Sequence, residues 1–224
     1  MISPYYADEL VTLYCGRCED ITEWLAADVL VTDPPYGIGW SRGERAATHN
    51  PDGHDGIKGD GDTGVRDAAL AAWGDVRPAL VFGSLRAPYP DGWKRMLVFR
   101  KPTIGAGLYG NRMPWFTNWE PIFALGNWPE QTPAFDSVIA TRALSGSGYS
   151  GYATRYQHPH AKPVDVMETL IAACPAGVIA DPFAGSGSTL VAARNQGRRA
   201  IGVEVEERYC EAAARRLAQG VLIA

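Results

Sequence analysis

Ala176-Gly177-Val178-Ile179-Ala180-Asp181, then Pro182-Phe183-Ala184-Gly185-Ser186-Gly187-Ser188-Thr189, then Leu190-Val191-Ala192-Ala193-Arg194, reads as a buried strand, a glycine turn and a helix in unbroken order. Gly185 and Gly187 let a ligand approach the backbone closely, and the helix start offers N–H groups that have no intrahelical partner. The turn is not a dinucleotide fingerprint, because position 190 is Leu190 rather than a third glycine. Nor is it a phosphate-binding P-loop, because no Lys precedes the Ser/Thr pair. Arg199-Ala200-Ile201-Gly202-Val203-Glu204, ending 17 residues beyond Gly187, reads as the next strand with an acid at its tip. An acid there is placed to hold the two hydroxyls of a ribose. The ligand implied is an adenosine-containing molecule without a pyrophosphate.

A second stretch carries the chemistry. Asp33-Pro34-Pro35-Tyr36 directly follows the apolar run Val29-Leu30-Val31-Thr32, so it occupies the C-terminal tip of a buried strand, where open α/β sheets place their reactive groups. An exocyclic amine on a nucleobase is a poor nucleophile, because its lone pair is delocalised into the ring. The Asp33 carboxylate and the Pro34 carbonyl can each accept one N–H of such an amine. That favours a nearer-tetrahedral nitrogen with its lone pair aimed at an electrophile, and is electrostatic preorganisation toward the transition state. The prolines fix φ and keep the carbonyl aimed into the pocket, and Tyr36 offers a flat face on which an extruded base can stack. Average residue usage puts this tetrapeptide by chance in roughly one chain in a thousand of this length, so a plain Pro-rich strand exit is the weaker reading.

Together these residues resemble the amino-group DNA methyltransferases that use S-adenosylmethionine. In that family D-P-P-Y is the catalytic motif and the F-x-G-x-G turn holds the methionine part of the cofactor. The order found here, catalytic motif first and cofactor motif near the C-terminus, is similar to the permuted β class. His158-Pro159-His160-Ala161-Lys162-Pro163, followed by the helical Val164 to Ile171, is similar to the H-P-x-x-K-P segment of that class. The resemblance implies catalytic Asp33, Pro34, Pro35 and Tyr36, and a cofactor site of Lys162, Asp181, Phe183, Gly185, Gly187, Ser188, Thr189 and Glu204, with Lys162 on the cofactor carboxylate. It also implies one α/β domain over residues 1–224. The expected fold is Rossmann-like and class I, a circularly permuted, mostly parallel seven-stranded sheet with one reversed strand.

The chain gives its own reason for the permutation. After Glu204 comes one amphipathic helix, Glu206 to Ala218, before Val221-Leu222-Ile223-Ala224. The strand beside the Glu204 strand is therefore expected from Leu10-Val11-Thr12-Leu13-Tyr14, followed by a short helix from Ile21 to Ala26. Further strands are expected at Ala79 to Ser84, Arg95 to Pro102 and Trp119 to Leu125; the last two are similar to the family's W-x-K and h-E-x-i-l segments. There is one departure. Where the family has Gly-Asp after the first strand, with an acid that helps to read the cofactor adenine, this chain has Gly16-Arg17. Cys18, Glu19 and Asp20 are the candidate substitutes, and Cys18 is assigned to the cofactor site.

Composition bounds the rest. At 224 residues and 46% hydrophobic the chain can bury a full core, and it holds no apolar run long enough for a membrane span or secretion signal, which predicts a cytoplasmic enzyme; the resemblance implies one of prokaryotic or phage type. Four cysteines include one C-x-x-C, Cys15 to Cys18, without a second pair at zinc spacing, so no metal is expected. The absence of a Pro-Cys dipeptide disfavours carbon methylation of cytosine. Net charge is −4, yet residues 84–162 hold nine Lys/Arg against four Asp/Glu, whereas residues 1–83 hold six against fourteen. Aromatic residues are interleaved with the basic ones, the pattern of a nucleic-acid surface. Residues 127–157 are therefore assigned to target recognition, with Arg142, Tyr152 and Arg155 as contacts to double-stranded DNA. Residues 41–67 are read as a mobile active-site loop. The expected reaction is methyl transfer to adenine N6. The alternatives are cytosine N4 and an inactive cofactor- and nucleic-acid-binding subunit.

Overall fold

The apolar runs alternate their side chains between two separate cores, as a strand buried on both faces must. A computed structural model describes residues 2–39, 58–101, 118–130, 134–141 and 161–220. The strands are β1 (Tyr6–Ala7), β2 (Val11–Cys15), β3 (Val29–Thr32), β4 (Ala79–Phe82), β5 (Arg95–Arg100), β6 (Trp119–Leu125), β7 (Val138–Ala140), β8 (Ile179–Asp181) and β9 (Ala200–Glu204). The helices are α1 (Gly64–Trp73), α2 (Val164–Ala172), α3 (Ser188–Asn195) and α4 (Glu207–Gly220), with a 3-10 turn at Glu23–Ala26. Val29, Val31, Leu80 and Phe82 point into one core, with Val166 and Leu170 of α2, Leu190 of α3, and Ala213 and Leu217 of α4. Leu30, Ala79, Val81, Ala180 and Val203 point into the other, closed by Trp24, Ala69 and Trp73. Trp24 and Trp73 stack with centroids 6.0 Å apart, and the Arg77 guanidinium lies 3.7 Å from the Trp73 ring centre. Each fully buried Val, Leu or Phe contributes about 1.5–3 kcal/mol against the chain entropy.

Among the described residues the sheet has nine strands in the order β1-β2-β9-β8-β3-β4-β6-β5-β7. The seven strands from β2 to β5 in that order are parallel except β6, which runs against both neighbours. The N-terminal strand β2 pairs with β9 from Val11↔Ala200 to Cys15↔Glu204, the placement expected for it. Registers Leu30↔Ala180 and Asp181↔Gly202 bring the carboxyl ends of β3, β8 and β9 to one edge. There, Asp33, Asp181 and Glu204 meet.

Two expectations are corrected. Seven strands with one reversed become nine with two reversed, because β1 joins β2 antiparallel and β7 joins the β5 edge in parallel. Both additions are two or three residues long, too short for period-two alternation to register in sequence. The irregular segment expected through Asp67 ends sooner, since α1 starts at Gly64, where the Asp62 carboxylate accepts the Gly64 N–H at 2.8 Å. Residues 41–57 of that loop lie outside the described residues. β7 falls within the target-recognition segment 127–157, of which residues 131–133 and 142–157 also lie outside them.

Gly202 fixes how closely α3 approaches the sheet: a Cβ there would come 2.7 Å from Leu190 Cδ1 and 3.2 Å from Ala184 Cβ. Gly202→Val should destabilise the protein by about 1–3 kcal/mol through overpacking. Urea unfolding would show this as a lowered midpoint at unchanged slope, and an unchanged midpoint would refute it.

Candidate active site

The glycine turn is held from inside by two acids. Asp181, at the end of β8, accepts from Thr32 Oγ1 at 2.6 Å and from the Phe183 N–H at 3.1 Å. Burial pushes its carboxyl up to about 6, against the opposing pull of the Thr189 and Thr32 hydroxyls and the Phe183 amide. Glu204, at the end of β9, accepts from the Gly185 N–H on Oε2 and the Glu206 N–H on Oε1, both at 2.8 Å. It is only 8% exposed, and burial pushes it up to about 7. Gly187 caps α3 in the left-handed region at φ +79°, and a Cβ on it would come 2.9 Å from Ala213 Cβ of α4. From the same helix Arg216 donates to the Ser186 carbonyl at 2.6 Å, bracing the turn.

The second half of the site is built on Asp33. Its Oδ1 accepts from the Tyr36 hydroxyl at 2.6 Å, and its Oδ2 from Lys162 Nζ at 2.5 Å. Lys162 is 7% exposed, lies 3.2 Å from the Tyr36 hydroxyl, and sits over the Phe82 ring at 4.8 Å. Its Nζ is also 3.4 Å from Glu120 Oε2, while Glu120 Oε1 pairs with Lys101. Burial alone would raise the Glu120 carboxyl, but the Lys162 and Lys101 ammonium groups hold it below its usual range. The turn after Tyr36 is pinned by Asp60, which is buried and accepts from the Gly37 N–H at 2.8 Å.

Both halves open into one pocket of about 680 Å³. Asp33, Pro34, Pro35 and Tyr36 line it, as do Cys18, Lys162, Asp181, Phe183, Gly185, Ser188, Thr189 and Glu204; Gly187 stands behind the wall as the helix cap. The Cys18 thiol is buried and donates to Glu19 Oε2 at 3.5 Å, and burial raises it to about 12. Arg17, beside it, pairs with Glu19 at 2.8 Å. Arg142, Tyr152 and Arg155 lie outside the described residues. Sequence reading missed Glu120, Lys101, Asp60 and Arg216 as parts of the site. Glu120 and Lys101 stood inside strands similar to family segments but were given no role of their own, Asp60 lay unsingled within the 41–67 loop, and Arg216 carries no local signal.

Known proteins resemble this chain in part of its sequence and in its fold. A family model described as DNA methylase, of the N6/N4 type, matches residues 109–215. The putative methylase YubD of Escherichia coli (strain K12) is 48% identical over 69 residues, which is 30% of this chain and 30% of that protein. The chain spans less than a third of the length of the curated relatives it matches. Among solved structures, the M1.HpyAVI-SAM complex superposes with TM-score 0.62 at 20% identity, covering 93% of this chain and 99% of that one. PvuII DNA methyltransferase (cytosine-N4-specific) does so with TM-score 0.66 at 12% identity, covering 96% and 89%. The fold is that of the class I methyltransferases. The chain is thus similar to the N6/N4 DNA methylases in sequence over residues 109–215 and to DNA methyltransferases in fold.

The raised acids make a pH prediction. Glu204 holds its proton more tightly folded than unfolded, so its contribution to stability is full below about pH 4.5 and declines as pH rises toward about 7. Glu204→Gln cannot titrate. Relative to this variant, the parent should lose stability between pH 5 and pH 8 in urea unfolding; a parallel pH dependence would refute the assignment.

Proposed function

We propose that this chain is an enzyme that transfers a methyl group from S-adenosylmethionine to the exocyclic amine of an extruded base in double-stranded DNA, N6 of adenine. The observation that carries the reading is the shared pocket, in which the Asp33 carboxylate and the Glu204 carboxylate face one cavity large enough for a nucleoside cofactor and a base. The donor set fits the cofactor. Each Glu204 oxygen accepts one backbone N–H, which leaves lone pairs for two ribose hydroxyls. Gly185, Ser188 and Thr189 form the wall where the methionine part would lie, and Cys18 and Glu19 the wall available to the adenine. When bound, the cofactor supplies an electrophilic methyl group.

The chain's own residues prepare the amine. Asp33 and the Pro34 carbonyl accept its two N–H bonds, which localises the nitrogen lone pair. Tyr36 stacks on the base, and its hydroxyl holds Asp33 in place. As the amine gains the methyl it loses a proton, for which the Asp33 carboxylate is an acceptor. Lys162 balances the Asp33 charge until the base arrives. Among the described residues no helix is long and apolar enough to cross a membrane, and the proposed substrate places the protein in the cytoplasm. Cytosine N4 is the second reading. It presents the same kind of amine, and the PvuII neighbour is titled cytosine-N4-specific.

Incubation with labelled S-adenosylmethionine and duplex DNA, followed by nucleoside analysis, should yield N6-methyladenine. N4-methylcytosine would establish the second reading, and no methylated base would overturn both. Asp33→Ala should abolish transfer while calorimetric cofactor affinity stays near the parent's. Tyr36→Phe loses one hydrogen bond to a carboxylate and should slow turnover by about tenfold. Tyr36→Ala should lose a further ~1–3 kcal/mol of stacking.

A further inference from the structure

Glu120 is buried beside the reacting groups, yet the proposed chemistry leaves it without a task. It lies on β6, which runs against both of its neighbours, and its Oε1 pairs with Lys101. Its Oε2 is buried and accepts no hydrogen bond among the described residues; the Lys162 ammonium, 3.4 Å away, is an ion pair outside hydrogen-bond geometry. Lys162 gives its short contact, 2.5 Å, to Asp33 instead. A buried carboxylate oxygen left in this state costs free energy, and a use for it in another state of the molecule would account for that cost.

The base-bound state supplies that use. An incoming amine must bring an N–H to Asp33, and an ammonium on Asp33 Oδ2 competes for the same lone pairs. It also places positive charge beside a nitrogen that becomes positive as it is methylated. We propose that Glu120 is a positioning residue that receives the Lys162 ammonium from Asp33 when the base enters. The move frees Asp33 Oδ2 for the amine and keeps Lys162 neutralised while it happens. The shift needed is small, because Nζ already lies between the two carboxylates. Charge counting points the same way. Asp33, Glu120, Lys101 and Lys162 sum to zero, so removing the Glu120 charge leaves a net cation facing a cationic transition state.

This inference rests on the methyl-transfer reading, and the test separates the two. Glu120→Gln keeps the shape and removes the charge; Glu120→Asp keeps the charge. With the full chain, cofactor and duplex DNA, Glu120→Gln should lower kcat by about tenfold or more, with calorimetric cofactor affinity and melting temperature close to the parent's. Glu120→Asp should recover a large part of the lost kcat. An active parent whose Glu120→Gln variant has parental kcat overturns the inference alone. So do equal losses in Glu120→Gln and Glu120→Asp, since shape rather than charge would then matter. A parent that methylates no base overturns the functional reading and this inference with it.

Discussion

One buried hydrogen bond joins the two halves of this site. Thr32 Oγ1 donates to Asp181 Oδ1 at 2.6 Å across 149 residues of chain, tying the exit of β3 to the exit of β8. Thr32 immediately precedes Asp33, and the same Asp181 oxygen accepts the Phe183 N–H at the start of the glycine turn. The carboxylate that would orient a base and the turn that would seat a cofactor are thus referenced to a single atom. Transfer between two bound molecules demands this, because an error of about 1 Å between reacting atoms can cost on the order of a hundredfold in rate. The sheet makes the bond possible: parallel pairing of β3 with β8 and of β8 with β9 brings three strand ends to one edge, and two cores of opposite side chains hold them there.

What the sequence made legible follows from where its signals are local. The glycine turn, the acid at the end of β9 and the Asp33-Pro34-Pro35-Tyr36 exit are each short, contiguous and chemically specific, so both halves of the pocket can be read from the chain alone. The pairing of β2 with β9 was readable because Leu10 to Tyr14 is an apolar run able to lie beside the Glu204 strand. The charge network was not readable. Lys162 reaches Asp33 from 129 positions away and Glu120 from 42, and no spacing rule connects them. Nor could the Tyr36 hydroxyl be placed: a stacking ring was the expectation, and the hydrogen bond to Asp33 depends on a side-chain rotation that only packing determines.

Residues 16–19 show how a departure from a family pattern can be absorbed locally. Arg17 stands where an acid was expected, and its guanidinium turns to Glu19 rather than into the core, with a side chain 63% exposed. Burial would raise the Glu19 carboxyl, but its own backbone N–H, Arg17 and the Cys18 thiol hold it below its usual range. An ionised acid therefore still lines this wall of the pocket, two residues later than the family pattern has it.

The pocket is electrically lopsided, and the lopsidedness matches the two ligands proposed for it. Asp33 and Glu120 share Lys162, so the half meant for a neutral base is compensated before the base arrives. Asp181 and Glu204 make no ion pair among the described residues, and burial raises both toward neutrality. A ligand bearing positive charge relieves that penalty, because it favours the ionised form of each acid. S-adenosylmethionine is a sulfonium, and after methyl transfer its sulfur is a neutral thioether. Under the proposed reaction, that change of charge would favour the ionised form of both acids more in the complex with substrate than in the complex with product.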